Sequence, residues 1–211
     1  LILLAENNEG YKNLLKLVSI SNLEGFYYKP RLDKETIRKY SKGLIALSAC
    51  LSGELSRAFL ANDPKRAEEL VLEYQDIFGK DSFFIEIEHH PGIPNHAKIQ
   101  KQLIELAKKT GAPLVAAQDV HYLKHEDAEA QDILLAVQTN NKVSDDERLT
   151  MREDDFSFAS EDEMAEFFKD TPEAIENTVK IAERCNVTIE LGKIQLPYFE
   201  VPEKETPDSY L

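Results

Sequence analysis

The chain has 211 residues, 42% of them hydrophobic, with 39 acidic against 25 basic side chains and a formal net charge of −14. That supplies a substantial core, in one domain or one plus an appendage. No stretch approaches the roughly 20 apolar residues that span a membrane, and no basic n-region or cleavage signature is seen among these residues. The lack of clustered Lys/Arg also argues against duplex binding by this segment alone. Cys50 and Cys185, far apart in unlike contexts, make no disulfide framework, so a soluble cytoplasmic protein with no membrane partner is expected.

The opening run Leu1-Ile2-Leu3-Leu4-Ala5 reads as a strand. With no initiator Met before it, and a linker-like Pro202-Glu203-Lys204-Glu205-Thr206-Pro207 near the end, the chain reads as a piece of a longer polypeptide. Leu14, Leu15, Leu17, Val18 and Leu23 mark a helix over about 10–24. An aromatic and basic loop, Gly25–Arg31, precedes a short helix near 34–40. Apolar, β-prone runs at 43–48, 83–87 and 113–117 each precede a helical pattern, as parallel strands of a β/α alternation do. Asp63-Pro64 is a helix start, with Ala67, Leu70, Val71, Tyr74, Ile77 and Phe78 as its inward stripe and Gly79 as its stop. A helix over 95–109 turns Ile99, Leu103, Leu106 and Ala107 inward, and another covers about 126–137. The pattern amounts to four strand–helix repeats, about half an α/β barrel.

Beyond residue 140 the character changes. Residues 149–151 and 156–158 are expected to pair as a small hairpin. Ser160-x-x-Glu163 is a capping box, and Thr171-Pro172-Glu173 starts a helix with Ile175, Val179 and Ala182 on one face. We therefore divide the chain into a barrel part, 1–140, and a mostly helical connector, 141–211.

Four side chains fall just past predicted strands: Cys50, His90, Asp119 and His121. Loops at the carboxyl ends of parallel strands open on one face, where sites are built. Asp119 and His121, two apart on an extended segment, share a face. Carboxylate and imidazole suit Zn²⁺, Mn²⁺ or Fe, and a thiolate biases the set towards zinc or iron. The plainer reading makes Asp119 a cap, His121 a packed polar residue and Cys50 a small hydrophobe; three strands converging on one place favour a metal site. His89 and His90, being adjacent, point in different directions. His96 and His125 are expected at the surface, Glu54 either beside the cluster or as a first-turn acid, and Cys185 as structural.

Three stretches carry a resemblance: Leu1-Ile2-Leu3-Leu4-Ala5-x-Asn7-x-x-Gly10-Tyr11-x-Asn13-Leu14, Gly43-Leu44-Ile45-Ala46-Leu47-Ser48-Ala49-Cys50-Leu51-Ser52-Gly53-Glu54 and Asp119-Val120-His121-Tyr122-Leu123. They resemble the polymerase and histidinol phosphatase (PHP) domain of the bacterial DNA polymerase III alpha subunit family. Residues 150–211, with Asn177-Thr178, Ile181–Cys185 and Leu196-Pro197, resemble the stretch leading towards the polymerase palm. The resemblance implies a partial, distorted (β/α)7 TIM-like barrel with metals at its carboxyl ends, held here by Cys50, His90, Asp119 and His121. It favours His90 over His89 through Glu-Ile-x-x-His. It also implies a possible 3′–5′ exonuclease within a DNA-directed DNA polymerase (itself Mg-dependent), with the rest of the alpha chain, DNA, a sliding clamp and a proofreading subunit as partners. The family's His-x-His, Thr-Asp-His-Gly and Gly-Cys-Glu motifs are absent from these residues. A partial ligand set is thus implied, with no hydrolysis expected of this piece alone; the alternatives are a non-catalytic scaffold and a free-standing phosphatase.

Overall fold

The computed structural model describes residues 1–194 and 199–210. It is a mixed α/β structure around one four-stranded sheet in the order β1 (Ile2–Ala5), β2 (Leu44–Leu47), β3 (Phe83–Ile87), β4 (Leu114–Ala116). As expected from their continuous apolar runs, β2, β3 and β4 are parallel. The first strand departs from that pattern and pairs antiparallel to β2, Ile2 opposite Leu47 and Ala5 opposite Leu44. Two helical passes separate these strands, α1 (Asn8–Leu23) and then α2 (Lys34–Lys39). Gly10, in the first turn of α1, packs against the backbone of Gly43, where a Cβ would lie 1.7 Å from the Gly43 carbonyl oxygen. Only glycine permits that approach.

Between β2 and β3 the chain forms α3 (Glu54–Leu60) and α4 (Pro64–Phe78), and between β3 and β4 it forms α5 (His96–Thr110). The Asp63 side chain caps α4 by accepting from the Arg66 amide, and Gly79 and Gly111, both at positive φ, end α4 and α5. The predicted stripes of both helices are buried against one face of the sheet. On α1 only part of the predicted stripe is used: Leu17 is buried, whereas Leu15, Val18 and Leu23 are exposed.

After β4 a single 3-10 turn (His125–Asp127) leads into α6 (Ala128–Gln138). The expected hairpin at 149–151 and 156–158 does not form. Instead Phe156 and Phe158 bond to the segment after β4, His121 N–H donating to Phe156 O at 2.9 Å and Phe158 N–H to Leu123 O at 3.2 Å. Ser160 and Glu163 make the predicted reciprocal cap on α7 (Glu161–Phe167). The next helix, α8 (Pro172–Arg184), lies against the sheet rather than apart from it. Asn177 Nδ2 donates to Leu114 O at 2.8 Å, and Arg184 reaches Glu6, Asp81 O and Ser82. Its inward residues are Ala174 and Ile181, while Val179 and Ala182, expected on the apolar face, point to solvent. A short α9 (Pro207–Tyr210) follows; the Leu196-Pro197 pair lies outside the described residues. Among the described residues no helix is long and apolar enough to cross a membrane.

Candidate metal centre

The three parallel strands end on one side of the sheet, and each hands a short turn to that side. Past β2 the backbone turns sharply at Ala49, which has φ 66°, and presents Cys50. The turn is tied to the neighbouring strand by the buried Ser48 hydroxyl, which accepts from Glu86 N–H at 2.9 Å. Past β3 come His89 and His90, and past β4 Asp119, itself left-handed at φ 53°, and then His121. Positive φ at non-glycine residues such as Ala49 and Asp119 is uncommon and costs energy; it concentrates where side chains are being aimed.

His90 is the centre of this group. It is buried to 2% exposure, and neither ring nitrogen has a hydrogen-bond partner within the protein. Its ring stacks on Phe156, centroids 4.5 Å apart, and meets the His96 ring edge-on at 5.4 Å. On the other side of Phe156 lies His121, 5.6 Å between centroids, with its Nε2 3.2 Å from Asp119 Oδ1. Burial holds the His90 imidazole below its ordinary pKa, against the opposing pull of the Asp154 and Asp119 carboxylates. A neutral imidazole, with one nitrogen protonated and the other's lone pair free, is the form that binds a metal. His89 points elsewhere and stacks on Phe167 at 4.1 Å.

Cys50 stands beside this group, lining a small cavity with Glu86, Glu88 and His96; its Sγ lies 3.1 Å from Ser52 Oγ. Among the described residues no three His, Cys, Asp or Glu side chains are arranged around a single ion position. The structure therefore joins His90 to the Asp119–His121 pair through Phe156 and sets Cys50 against the same end of the sheet.

Sequence reasoning passed over three buried polar residues here. Glu86 and Glu88 are 5% and 6% exposed, and Glu86 Oε2 has no partner. Burial raises both carboxyls; Glu88 is pushed up to about 8 by burial and then by the charges of Glu86 and Asp119. The signal lay in the strand itself, Phe83-Phe84-Ile85-Glu86-Ile87, where one acid interrupts a fully buried run. His96, expected at the surface, is 5% exposed at the start of α5, and burial depresses it to about 4. His125 is exposed as expected, beside Asp155. Glu54 sits in the first turn of α3, bonded to Lys34 and the Tyr74 hydroxyl rather than to the cluster.

Comparison with known proteins agrees with the reading from sequence. Residues 1–90 match the PHP domain family. The whole chain is 47% identical to a protein named DNA polymerase III subunit alpha from Borreliella burgdorferi, covering 18% of that protein. The proteins of the same name from Treponema pallidum and Thermus aquaticus are 44% and 41% identical over 97% and 100% of this chain, which covers 17% and 18% of them. The chain thus spans less than a fifth of the length of these relatives.

Proposed function

The chain is a homologue of the PHP-bearing part of bacterial DNA polymerase III subunit alpha, and from that premise we propose that it works as a metal-dependent phosphoesterase module of such a subunit. The full subunit would be a cytoplasmic, Mg-dependent DNA-directed DNA polymerase acting on DNA beside a sliding clamp and a proofreading subunit. In this reading the sheet is part of a distorted (β/α)7 barrel formed by residues 1–140, and residues 141–211 lead towards the polymerase palm.

One observation carries the metal reading: a buried imidazole, His90, keeps both nitrogens unpartnered beside the Asp119–His121 pair. Buried polar atoms are nearly always bonded, so an unpartnered pair asks for an explanation. His90, Asp119 and His121 would hold divalent ions, with Cys50 as the thiolate donor, a set suited to Zn, Mn or Fe. Bound ions would activate water and neutralise the charge that develops on a phosphodiester. The residues' own part is to keep His90 neutral, to orient His121 through Asp119, and to exclude water on the Phe156 side.

The test uses the full-length subunit with Cys50→Ala and Asp119→Asn. Loss of bound metal and of 3′–5′ exonuclease activity, with unfolding unchanged, is the expected result. Wild-type protein without metal or exonuclease activity would overturn the reading. A second reading, a non-catalytic scaffold that steadies the polymerase and docks a proofreading subunit, is favoured by the absence of three donors around one position among the described residues. It expects both variants to affect folding alone.

A further inference from the structure

Residues 148–158 form neither helix nor strand, yet they place Phe156 between His90 and His121. The cause lies outside the ligand group, at Asp132 on α6. This carboxylate is 1% exposed. It accepts from Arg148 Nη1 at 2.7 Å and Nη2 at 2.5 Å, and from the Thr150 hydroxyl at 2.8 Å, and it pairs with Arg152 Nη2 at 2.7 Å. Arg148, Thr150 and Arg152, spaced two apart in the sequence, all end on this one carboxylate. From that anchor the chain crosses the mouth of the site. Asp154 Oδ2 accepts from Gly92 N–H at 2.7 Å, and a Cβ on Gly92 would lie 2.1 Å from Glu153 O. Phe156 O then accepts from His121 N–H at 2.9 Å, and Phe156 N–H donates to the Tyr122 hydroxyl at 2.9 Å.

We propose that Asp132 is a positioning residue: through Arg148, Thr150 and Arg152 it holds residues 148–158 as a strap whose Phe156 ring fixes the His90 and His121 imidazoles. Stability alone does not account for such an anchor, because a buried ion pair contributes little more than well-packed apolar residues of the same volume. What an ion pair with bidentate geometry adds is register, and register is what an irregular segment lacks. The consequence for metal affinity rests on the reading given above; the geometry does not.

Histidine ring-proton NMR of the 211-residue chain tests it, because a stacked Phe156 ring shifts the His90 signals by its ring current. In Asp132→Asn the His90 and His121 signals move towards their positions in Phe156→Ala, and Mn²⁺ binding weakens about tenfold, the usual scale for supports of metal ligands. Val71→Ala, buried on the far face of the sheet, lowers stability and leaves those signals in place. Should Asp132→Asn not fold, Arg148→Lys, which keeps the charge and loses the fork, takes its part. A folded variant with His90 and His121 signals at wild-type positions overturns the proposal. If the wild-type chain binds no Mn²⁺, the metal reading falls, and the histidine signals still decide the role of Asp132.

Discussion

On the face of the sheet covered by α4 and α5, the strands contribute Leu44, Ala46, Phe83, Ile85, Ile87, Leu114 and Ala116, all apolar and all buried. The opposite face, covered by α8, carries Ile45, Leu47, Phe84 and Val115 under Ile181, and in the same layer the carboxylate of Glu86. The first face is a finished core, close-packed by two amphipathic helices. The second has a thin apolar patch that gives way to buried acids and imidazoles at its carboxyl edge. A fold can carry unsatisfied polar groups in one layer when the other layer supplies the stability, and here the division follows the two sides of a single sheet.

Substitutions on the two faces should therefore differ in sign. Phe83, fully buried and stacked on Tyr74 with centroids 5.1 Å apart, should cost about 3–5 kcal/mol on Phe83→Ala, read as a lower denaturant midpoint. Glu86→Leu should raise the midpoint by about 1–3 kcal/mol, since it removes a buried carboxyl oxygen that has no partner. A destabilised Glu86→Leu would mean that the inner layer is as finished as the outer one. The third effect is recognised by its loss in acid. Hydrogen bonds from Arg148 hold the Asp132 carboxyl down at about 2. A native carboxyl below its unfolded value near 4 binds fewer protons than the unfolded chain, so stability falls as pH falls. The stability gap between wild type and Asp132→Asn should be full above about pH 4 and close as pH approaches 2, as followed by thermal unfolding.

The apolar face was legible because its signals are local. The stripe of α4 from Ala67 to Ile77, the stripe of α5 from Ile99 to Ala107, and the stops at Gly79 and Gly111 all act through neighbours in sequence. The antiparallel sense of β1 was not legible, since a short apolar run reads the same whichever way it pairs with its neighbour. Nor was the strap: Phe156 and Phe158 look like half of a hairpin until Asp132, distant in sequence, takes up Arg148 and Thr150. At the site, the turn after each strand was enough to select Cys50, His90, Asp119 and His121 as candidates. Burial of His96 and Glu88 depends on tertiary packing, and only the acid inside the Phe83–Ile87 run gave any notice of it.

The bond from Arg184 Nε to Glu6 Oε1, 2.8 Å long, and that from Asn186 N–H to Glu6 O, 2.9 Å, join residues about 180 positions apart. During synthesis, which runs from the N-terminus, the outer face can collapse once β4 has emerged, because α4 and α5 are already present. The inner face cannot close until α8 appears. In the interval the apolar residues of that layer and the buried acid of β3, Glu86, stand open to solvent, which makes this the stage most exposed to mispairing and aggregation. The last long helix among the described residues thus acts as the late step in assembly, and a chain stalled before Arg184 would leave the layer of Ile45, Leu47, Phe84, Val115 and Glu86 uncovered.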